Sequence, residues 1–370
     1  MPAVKCDILI CGAGLAGLSL LYRALRSGTW TNEQIIVADR SLKTGNDRTW
    51  SFWKKEDSAF EELIRHRWKD LVFFTAQGEK IPLQSGGYTY NSIRSIDLYR
   101  FIHTYLKGFS NVSFIQEEIL EISSAAGRCT LTTSSNIYES LYLFNSVCKK
   151  QEELKGGQYF LQHFKGLRIR TATTILPPDE AYLMDFRTGQ EQGTTFFYTL
   201  PVAENELFIE YTLFSKSLLP AAVYDQKIKS YLHDVLKIDT YEILEEEFGV
   251  IPMTDHPFKR FDGNIVHIGT AGGDTRASTG YTFTNIQKTI DQILHVYQSA
   301  GNPFFEEENI SLKHQLYDAA LLNVLAKQSY EGHQLFTDLF SKVPAYRIFA
   351  FLDAETSVIQ DLQIMKSLKV

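Results

Sequence analysis

The stretch Cys6-Asp-Ile-Leu-Ile-Cys11, followed by Gly12-Ala-Gly-Leu-Ala-Gly17, decides the fold of this 370-residue chain. Residues 6–11 form a short apolar run with the length of a buried parallel strand. The glycines follow without a gap, and an apolar pattern of helical spacing begins behind them at Leu18. This order of strand, tight turn and helix is the context in which a G-x-G-x-x-G match predicts dinucleotide binding.

Each glycine of the turn has its own predicted role. Gly12 permits the turn, Gly14 lets a pyrophosphate approach the backbone, and Gly17 lets the helix pack closely on the strand. Free N–H groups at the helix N-terminus add positive potential. A second strand ends in Asp39-Arg40, and Asp39 lies 22 residues after Gly17, where this fold places an acid on the adenosine ribose hydroxyls. A turn that serves only packing does not explain Asp39, so we expect a dinucleotide here, with Arg40 among its contacts.

Composition and charge narrow the class of protein. Aromatic residues make up 13% of the chain, which fits either an aromatic-rich core or a pocket for a large apolar ligand. The net charge of −7 argues against a nucleic-acid partner. The four cysteines form no C-x-x-C pair, so metal and disulfide sites are not expected, and a reducing, cytoplasmic compartment fits best. We expect neither a signal peptide nor a membrane span, which leaves peripheral membrane contact open.

Local patterns predict the remaining elements. Helices are predicted near 60–67, from Ser95 as N-cap to about Lys107, near 224–236, over 282–297, and through most of the last 70 residues. Strands are predicted at 71–74, 80–83, 112–115, 119–122, 129–133, 141–147, 168–175, 182–187, 194–200 and 206–212. The strand at 141–147 is mostly apolar, which indicates that it returns to the central parallel sheet.

A second strand and Gly-rich loop follow late in the chain, at Asn264-Ile-Val-His-Ile268 and from Gly269 to Tyr281. Gly269, Gly272 and Gly280 are predicted to let the backbone meet a cofactor, and Tyr281 to approach its ring system. Two such units favour FAD over a nicotinamide, because FAD is long and needs a second loop under its pyrophosphate and ribityl chain.

One cationic side chain near the first unit has two open interpretations. Arg48 either reaches cofactor phosphates or pairs with its neighbour Asp47, and the sequence favours neither.

These patterns predict an α/β fold with three parts: a Rossmann-like FAD-binding domain with a parallel sheet, an inserted and mostly antiparallel β-sheet substrate domain, and a helical C-terminal segment. The expected ranges are 1–50, 95–165 and 245–300 for the first, 51–94 and 166–244 for the second, and 301–370 for the third.

A set of short motifs runs along most of the chain. They are Gly12-Ala-Gly-Leu-Ala-Gly17, Asp47-Arg-Thr-Trp-Ser-Phe-Trp53, Ile93-Arg-Ser-Ile-Asp97, Met184-Asp-Phe-Arg187, Phe208-Ile-Glu-Tyr-Thr212, Gly249-Val-Ile-Pro-Met253, Gly269-Thr-Ala-Gly-Gly273, Ser278-Thr-Gly-Tyr-Thr-Phe283 and Phe351-Leu-Asp353. Together they resemble the lycopene cyclase family, flavoproteins that close β-ionone rings on linear carotenes. The resemblance runs from about residue 5 to the C-terminus.

Four positions depart from the family pattern. The chain reads Phe144-Asn-Ser-Val147 where the family usually has Phe-Asp-Ser-Arg, so Asn145 replaces an Asp and Val147 replaces an Arg. Asp274 replaces a Met and Ala277 replaces a Pro. The first two put fine contacts to cofactor or substrate in question.

The resemblance implies proton-initiated ring closure that converts lycopene to γ-carotene or β-carotene without net redox change. It implies reduced FAD as cofactor, NAD(P)H as reductant, and a flavin anion that stabilises the carbocation electrostatically. No metal constellation is apparent in the sequence.

The resemblance also implies that Glu210 is the essential acid. Strand alternation places Glu210 on one face with Phe208 and Thr212, and apolar neighbours would favour its protonated form. The alternative interpretation is that Glu210 is a half-exposed strand residue that forms a cross-strand pair. Asp185 is a second acid candidate, although Arg187 on the same face suggests a structural ion pair.

A carbocation needs π density nearby. The candidates are Trp50, Trp53, Phe196, Tyr198 and Tyr281, each of which could equally belong to the core. The substrate implied is an insoluble polyene, so we expect peripheral contact with membrane lipid. The segment Ile348-Phe-Ala-Phe-Leu352 is a candidate for that contact or for buried core.

Two rival interpretations remain. One is an FAD-dependent reductase or hydroxylase of an isoprenoid or aromatic compound, which gives Glu210 no special role. The other is a non-catalytic carotenoid carrier, against which the Glu210 carboxylate and the intact first glycine motif both argue.

Overall fold

The predicted N-terminal strand lies in the middle of a six-stranded sheet. A computed structural model describes residues 3–56, 59–148, 151, 154, 157–306 and 312–368. The strands of the sheet are, in spatial order, β19 (Phe261–Asp262), β20 (Ile265–His267), β13 (Tyr142–Asn145), β2 (Ile8–Cys11), β3 (Ile35–Asp39) and β9 (Val112–Gln116). All neighbours pair in parallel except β19 and β20. As predicted, β13 returns to this sheet beside β2.

Both faces of the six-stranded sheet are covered. The helices on one face are α1 (Leu15–Arg26), α2 (Ser95–Leu106) and α4 (Phe283–Ala300). The other face packs on a four-stranded sheet of β1 (Val4–Lys5), β12 (Ile137–Ser140), β11 (Arg128–Thr133) and β10 (Ile119–Ala125). Because β2 is buried on both sides, all of its residues are apolar rather than alternating with polar ones.

A larger sheet of seven strands carries the rest of the β structure. Its strands are, in spatial order, β18 (Glu242–Thr254), β14 (Tyr159–Arg170), β17 (Glu206–Ser215), β16 (Thr194–Ala203), β15 (Glu180–Asp185), β6 (Asp70–Phe74) and β7 (Lys80–Pro82). Only β15 and β6 pair in parallel. A separate three-stranded sheet contains β4 (Thr49–Lys54), β8 (Thr89–Arg94) and β5 (His66–Trp68).

The two faces of the seven-stranded sheet have different covers. Helix α3 (Ala221–Ser230), which continues into a π-helical turn at Tyr231–Val235, packs on one face. Four C-terminal helices pack on the other, and they are α5 (Leu312–Lys327), α6 (Gly332–Lys342), α7 (Ala345–Leu352) and α8 (Val358–Met365). Alternation along β17 therefore directs Ile209 and Tyr211 toward α3, and Phe208 toward the C-terminal helices.

The predicted fold class is confirmed, and several local predictions are wrong. The helix predicted near 60–67 is a short 3₁₀ turn at Glu61–Leu63 followed by β5, because residues 66–68 pair with β8. Ser95 is the first residue of α2 and not its N-cap, which is Arg94. The Ser95 hydroxyl instead accepts the backbone N–H groups of Asp47 and Arg48, which ties β4 to the helix.

The strand predicted at 168–175 begins earlier, at Tyr159, and ends at Arg170. It pairs along its length with β17 on one side and β18 on the other. The expected domain limits at residues 165 and 245 therefore fall inside β14 and β18, both of which belong to the seven-stranded sheet.

Two glycines of the first turn differ in the space around them, and this difference predicts different effects on stability. A Cβ atom at Gly17 would lie 2.0 Å from the backbone oxygen of Gly12, whereas nothing lies within 4 Å of a Cβ at Gly14. Gly17→Ala should therefore lower the free energy of unfolding by about 1–3 kcal/mol or more, because backbone must move. Gly14→Ala should lower it by no more than about 1 kcal/mol, since alanine is a slightly poorer N-cap than glycine. Chemical denaturation of both variants measures the contrast, and equal losses would contradict it.

Candidate active site

The first glycine turn leaves an open space at the N-terminus of α1. Gly12 has a φ of +99°, in the left-handed region that favours glycine, and Gly14 caps the helix without a side-chain hydrogen bond. Asp39 at the end of β3 accepts the backbone N–H groups of Ala13 and Ser41, each at 2.8 Å. An uncapped helix end beneath an open glycine can accept an anionic group such as a phosphate. Arg40 is exposed beside this space.

The second glycine loop lies against the first. It forms a short 3₁₀ turn at Gly269–Gly272, and a Cβ at Gly269 would lie 3.0 Å from that of Ala16 in α1. The buried carboxylate of Asp274 accepts the backbone N–H of Gly269 at 2.6 Å and the Arg260 guanidinium at 2.7 Å. Asp274, which departs from the family pattern, thus forms a buried ion pair with Arg260 and a hydrogen bond that holds the loop at Gly269.

The same loop is joined to the C-terminal helices. The guanidinium of Arg276 donates to both carboxylate oxygens of Asp318 in α5, at 2.8 and 3.0 Å. It also donates to the backbone oxygen of Leu352 at the end of α7. Arg276 and Asp318 are both buried, so this pair replaces solvent for both charges.

Three other positions singled out in the sequence lie near the loops. The Arg48 guanidinium donates to the backbone oxygens of Asp47 at 2.6 Å and Phe248 at 3.3 Å, so its contact with Asp47 is not with the carboxylate. The Asn145 amide donates to Nδ1 of His267 at 3.0 Å. Val147 is exposed.

Glu210 lies on the face of the seven-stranded sheet that the C-terminal helices cover. Its backbone pairs with Tyr198 of β16 on one side and with Gly166 of β14 on the other. The side chain is half-buried and lines a pocket, where Thr212 Oγ1 donates to its Oε1 at 2.6 Å. Burial, together with the negative charge of Glu247, raises the pKa of Glu210 to about 8. The group therefore keeps its proton at neutral pH.

Glu247 is a second buried carboxyl group on this face, and the sequence analysis missed it. Gly166 pairs with Glu210 on one side and with Glu247 on the other, so the two acids flank the same glycine. A Cβ at Gly166 would lie 2.6 Å from the ring of Phe208. Thr49 donates to Glu247 through its backbone N–H at 2.9 Å and its hydroxyl at 2.7 Å, while burial raises the pKa of Glu247.

The signal for Glu247 was hidden in the run Glu245-Glu246-Glu247, which by composition is a solvated charged segment. On a strand, alternate members of such a run face opposite sides. Glu246 is exposed and contacts Lys165, whereas Glu247 is buried. Knowledge of the strand register was needed to separate them.

Three tyrosine hydroxyls meet next to Glu210. Tyr281 Oη lies 3.1 Å from Tyr90 Oη and 3.4 Å from Tyr198 Oη. Burial raises the pKa of Tyr281 well above its ordinary value, so all of these groups stay neutral and can only exchange hydrogen bonds. Tyr198 and Tyr281 line both the Glu210 pocket and a second, larger cavity.

The larger cavity, of about 330 Å³, lies between the seven-stranded sheet and the C-terminal helices. Its walls are largely apolar and aromatic, and the side chains from the sheet are Leu183, Met184, Phe196, Tyr198 and Phe214. Ile348 and Phe349 line it from α7 and are buried, so this segment has a core position in the structure. An elongated apolar molecule in this cavity would approach Glu210 past Tyr198 and Tyr281.

Asp185 is placed away from this site. Its fully buried carboxylate accepts the Arg187 guanidinium and the hydroxyl of Tyr231, which lies at 2.6 Å on the α3 side of the sheet. The ion pair considered in the sequence analysis is present. The structure therefore does not bring Asp185 and Glu210 together.

Two absences hold for the described part of the chain. No group of three or more His, Cys, Asp or Glu side chains there is arranged to hold a metal ion. None of its helices is long and apolar enough to cross a membrane.

Comparisons with known proteins bear on this geometry. The family described as lycopene cyclase protein matches residues 7–369. The lycopene β-cyclase of Pantoea ananas is 23% identical over 319 residues, which cover 80% of this chain and 76% of that protein. The structure of p-nitrophenol 4-monooxygenase from Pseudomonas putida aligns with a TM-score of 0.65 and 11% identity, covering 99% of this chain and 98% of that one. A flavin-dependent monooxygenase solved with FAD and substrate aligns with a TM-score of 0.60 and 11% identity, covering 99% and 73%.

The solved structures show a shared fold. The family match spans nearly the whole chain and confirms the resemblance seen in the motifs. This protein belongs to the lycopene cyclase family.

Proposed function

We propose that this protein is a lycopene β-cyclase, which closes β-ionone rings at the ψ-end groups of a linear carotene without net redox change. The observation that carries the proposal is the position of Glu210. Its half-buried carboxyl group has a pKa of about 8 and lines a pocket that shares Tyr198 and Tyr281 with the apolar cavity. Protonation of a hydrocarbon double bond requires an acid that is still protonated near neutral pH and is shielded from water.

The proposed reaction starts with transfer of the Glu210 proton to the terminal double bond of the ψ-end group. The electron pair of that double bond forms the new C–H bond and leaves a tertiary carbocation. The next double bond attacks the cation, the six-membered ring closes, and a neighbouring carbon releases a proton to restore a double bond. One proton enters and one leaves, so substrate and product are isomers.

The residues of the two glycine loops suit FAD as the bound cofactor. We assign the pyrophosphate to the uncapped N-terminus of α1 at Gly12 and Gly14, and the adenosine ribose to Asp39. The second loop, with Gly269, Gly272 and Gly280, would support the remainder of the cofactor. The bound reduced flavin would supply negative charge near the carbocation, and NAD(P)H is the proposed source of its electrons.

The proposed substrate is insoluble in water, so we also propose peripheral contact with membrane lipid. The alternative, a flavin-dependent reductase or hydroxylase on the same fold, leaves the raised pKa of Glu210 without a role. Asp185 has no step in this mechanism, because its carboxylate is held by Arg187 and Tyr231.

An anaerobic assay tests the proposed function. Purified protein with FAD and excess NADPH or dithionite should convert lycopene in liposomes to monocyclic or bicyclic carotene of unchanged molecular mass. Reductant should be consumed only to reduce the flavin. Glu210→Gln should lower kcat by about 100-fold or more, since it removes the general acid, while FAD binding persists. A hydrogenated or hydroxylated product with continuing consumption of reductant would contradict the proposal and favour the alternative.

The charge of Glu247 predicts a pH effect. Because Glu210 must be protonated, activity should fall as the pH rises through about 8. Glu247→Gln removes a negative charge that raises the pKa of Glu210, so the alkaline limb should move to lower pH. The exposed neighbour provides the control, and Glu246→Gln should leave the limb in place. A pH–rate profile in which both variants match the wild type would exclude this coupling.

The open space at Gly14 predicts a specific effect on cofactor binding. Gly14→Ala adds a methyl group where the backbone would approach the pyrophosphate, and should raise the Kd for FAD by about 10-fold or more. Gly108→Ala, where a Cβ makes only an ordinary contact with the oxygen of Tyr105, should leave it unchanged. Equilibrium titration of FAD fluorescence measures both, and equal affinities would contradict the assigned phosphate position.

A further inference from the structure

A partly buried hydrogen bond joins two distant family motifs at the wall of the apolar cavity. Trp53 in β4 donates its indole N–H to Oδ2 of Asp353, which follows the end of α7, at 2.7 Å. Trp53 is buried and Asp353 is half-buried. The mechanism proposed above uses neither residue.

The indole of Trp53 is part of the aromatic wall of the apolar cavity. Its ring lies 4.3 Å from that of Tyr281 and is stacked 5.0 Å from that of Phe349. Trp53 pairs across the strands with Tyr90, whose hydroxyl bonds that of Tyr281. Trp53, Tyr281 and Phe349 all line the apolar cavity. The bond to Asp353 therefore orients a ring that lies against Tyr281, which lines both the cavity and the Glu210 pocket.

Among the described residues, the charged groups around Asp353 form no ion pair with its carboxylate. Arg276 is bound to Asp318 and to the Leu352 oxygen, and Lys288 lies 3.5 Å from Glu355. Burial raises the pKa of Asp353 to about 6; Lys288, the Trp53 hydrogen bond and Arg276 act to lower it, and Glu355 acts to raise it. The C-terminal end of α7 also disfavours the anion. Above about pH 6 the group is nevertheless a carboxylate, so the indole then donates to a negative charge.

We propose that Asp353 is a positioning residue for ring closure, which holds the Trp53 indole against Tyr281 and makes this aromatic wall a better stabiliser of the carbocation. The inference rests on the proposed function. An indole whose N–H donates to an anion gains electron density on its ring. Tryptophan already has the strongest attraction for cations among the aromatic side chains. A ring and charge that are fixed in advance stabilise developing positive charge without reorganising during the reaction.

The contact can be tested without any activity. The chain contains four tryptophans, so protein labelled with [¹⁵N]tryptophan should give indole N–H signals that the Trp53→Phe variant assigns. The Trp53 signal should shift with pH around a midpoint near 6, the pKa of Asp353. Asp353→Asn should abolish that titration, and Glu355→Gln should keep it. A Trp53 signal that does not titrate in the wild type would overturn the proposal.

Kinetics on the FAD-loaded enzyme then test the role. Wild-type kcat should fall below about pH 6 as Asp353 is protonated, and Asp353→Asn should lose this acid limb and about 10-fold in kcat, with KM for lycopene unchanged. Asp353→Glu should restore part of the rate. In the double variant Asp353→Asn/Trp53→Phe, the fold-loss in kcat should be smaller than the product of the losses in the two single variants.

The outcomes separate the two proposals. An unchanged kcat and acid limb in Asp353→Asn, or full multiplication of the two losses, would overturn the role of Asp353. A wild-type protein that closes no rings while its Trp53 signal still titrates would instead contradict the proposed function. Loss of FAD binding or of folding cooperativity in Asp353→Asn would show a merely structural contact and would also overturn the inference.

Discussion

Desolvation of the Glu210 carboxyl group is the constraint around which this site is arranged. A glutamic acid in water is ionised near neutral pH and has no proton to give to a hydrocarbon. Strand β17 places the side chain in a pocket closed by β4, β8 and the second glycine loop, and Glu247 on β18 adds negative charge that acts in the same direction. The surroundings that keep the proton on Glu210 are also those that form an apolar cavity beside it. The Glu210 pocket and the apolar cavity lie on one face of the sheet and share Tyr198 and Tyr281 as lining residues.

The seven-stranded sheet gives acidic residues different chemistry on its two sides. On the α3 side, the Asp185 carboxylate accepts hydrogen bonds from the Arg187 guanidinium and the Tyr231 hydroxyl. These bonds occupy both of its oxygens, so the carboxylate serves the stability of the fold. On the other side, the Glu210 carboxyl group accepts a hydrogen bond from Thr212 and forms no ion pair with any described residue. The sheet therefore separates an ion-paired acid from one without a cationic partner among those residues.

The parts of the protein that could be predicted from sequence are those determined by neighbouring residues. The first glycine turn, Asp39 and the alternation that places Glu210 beside Phe208 are local patterns, and the structure has them as expected. Glu247 needed the pairing of β14 with β18, which a single sequence does not display. The bond between Trp53 and Asp353 joins residues at opposite ends of the chain. The sequence predicts a helix at 60–67, but pairing of residues 66–68 with β8 outweighs local propensity there.

Arg276 connects the second glycine loop to the helices that line the apolar cavity. Its guanidinium connects the second glycine loop to α5 and to the end of α7, which form part of the cavity wall. A ligand that restrains the loop would also restrain α5 and the end of α7 through these contacts, and the reverse holds equally. Thermodynamic linkage makes this influence reciprocal. Cofactor and substrate would then bind cooperatively through the Arg276–Asp318 salt bridge, whose Asp318 lines the apolar cavity.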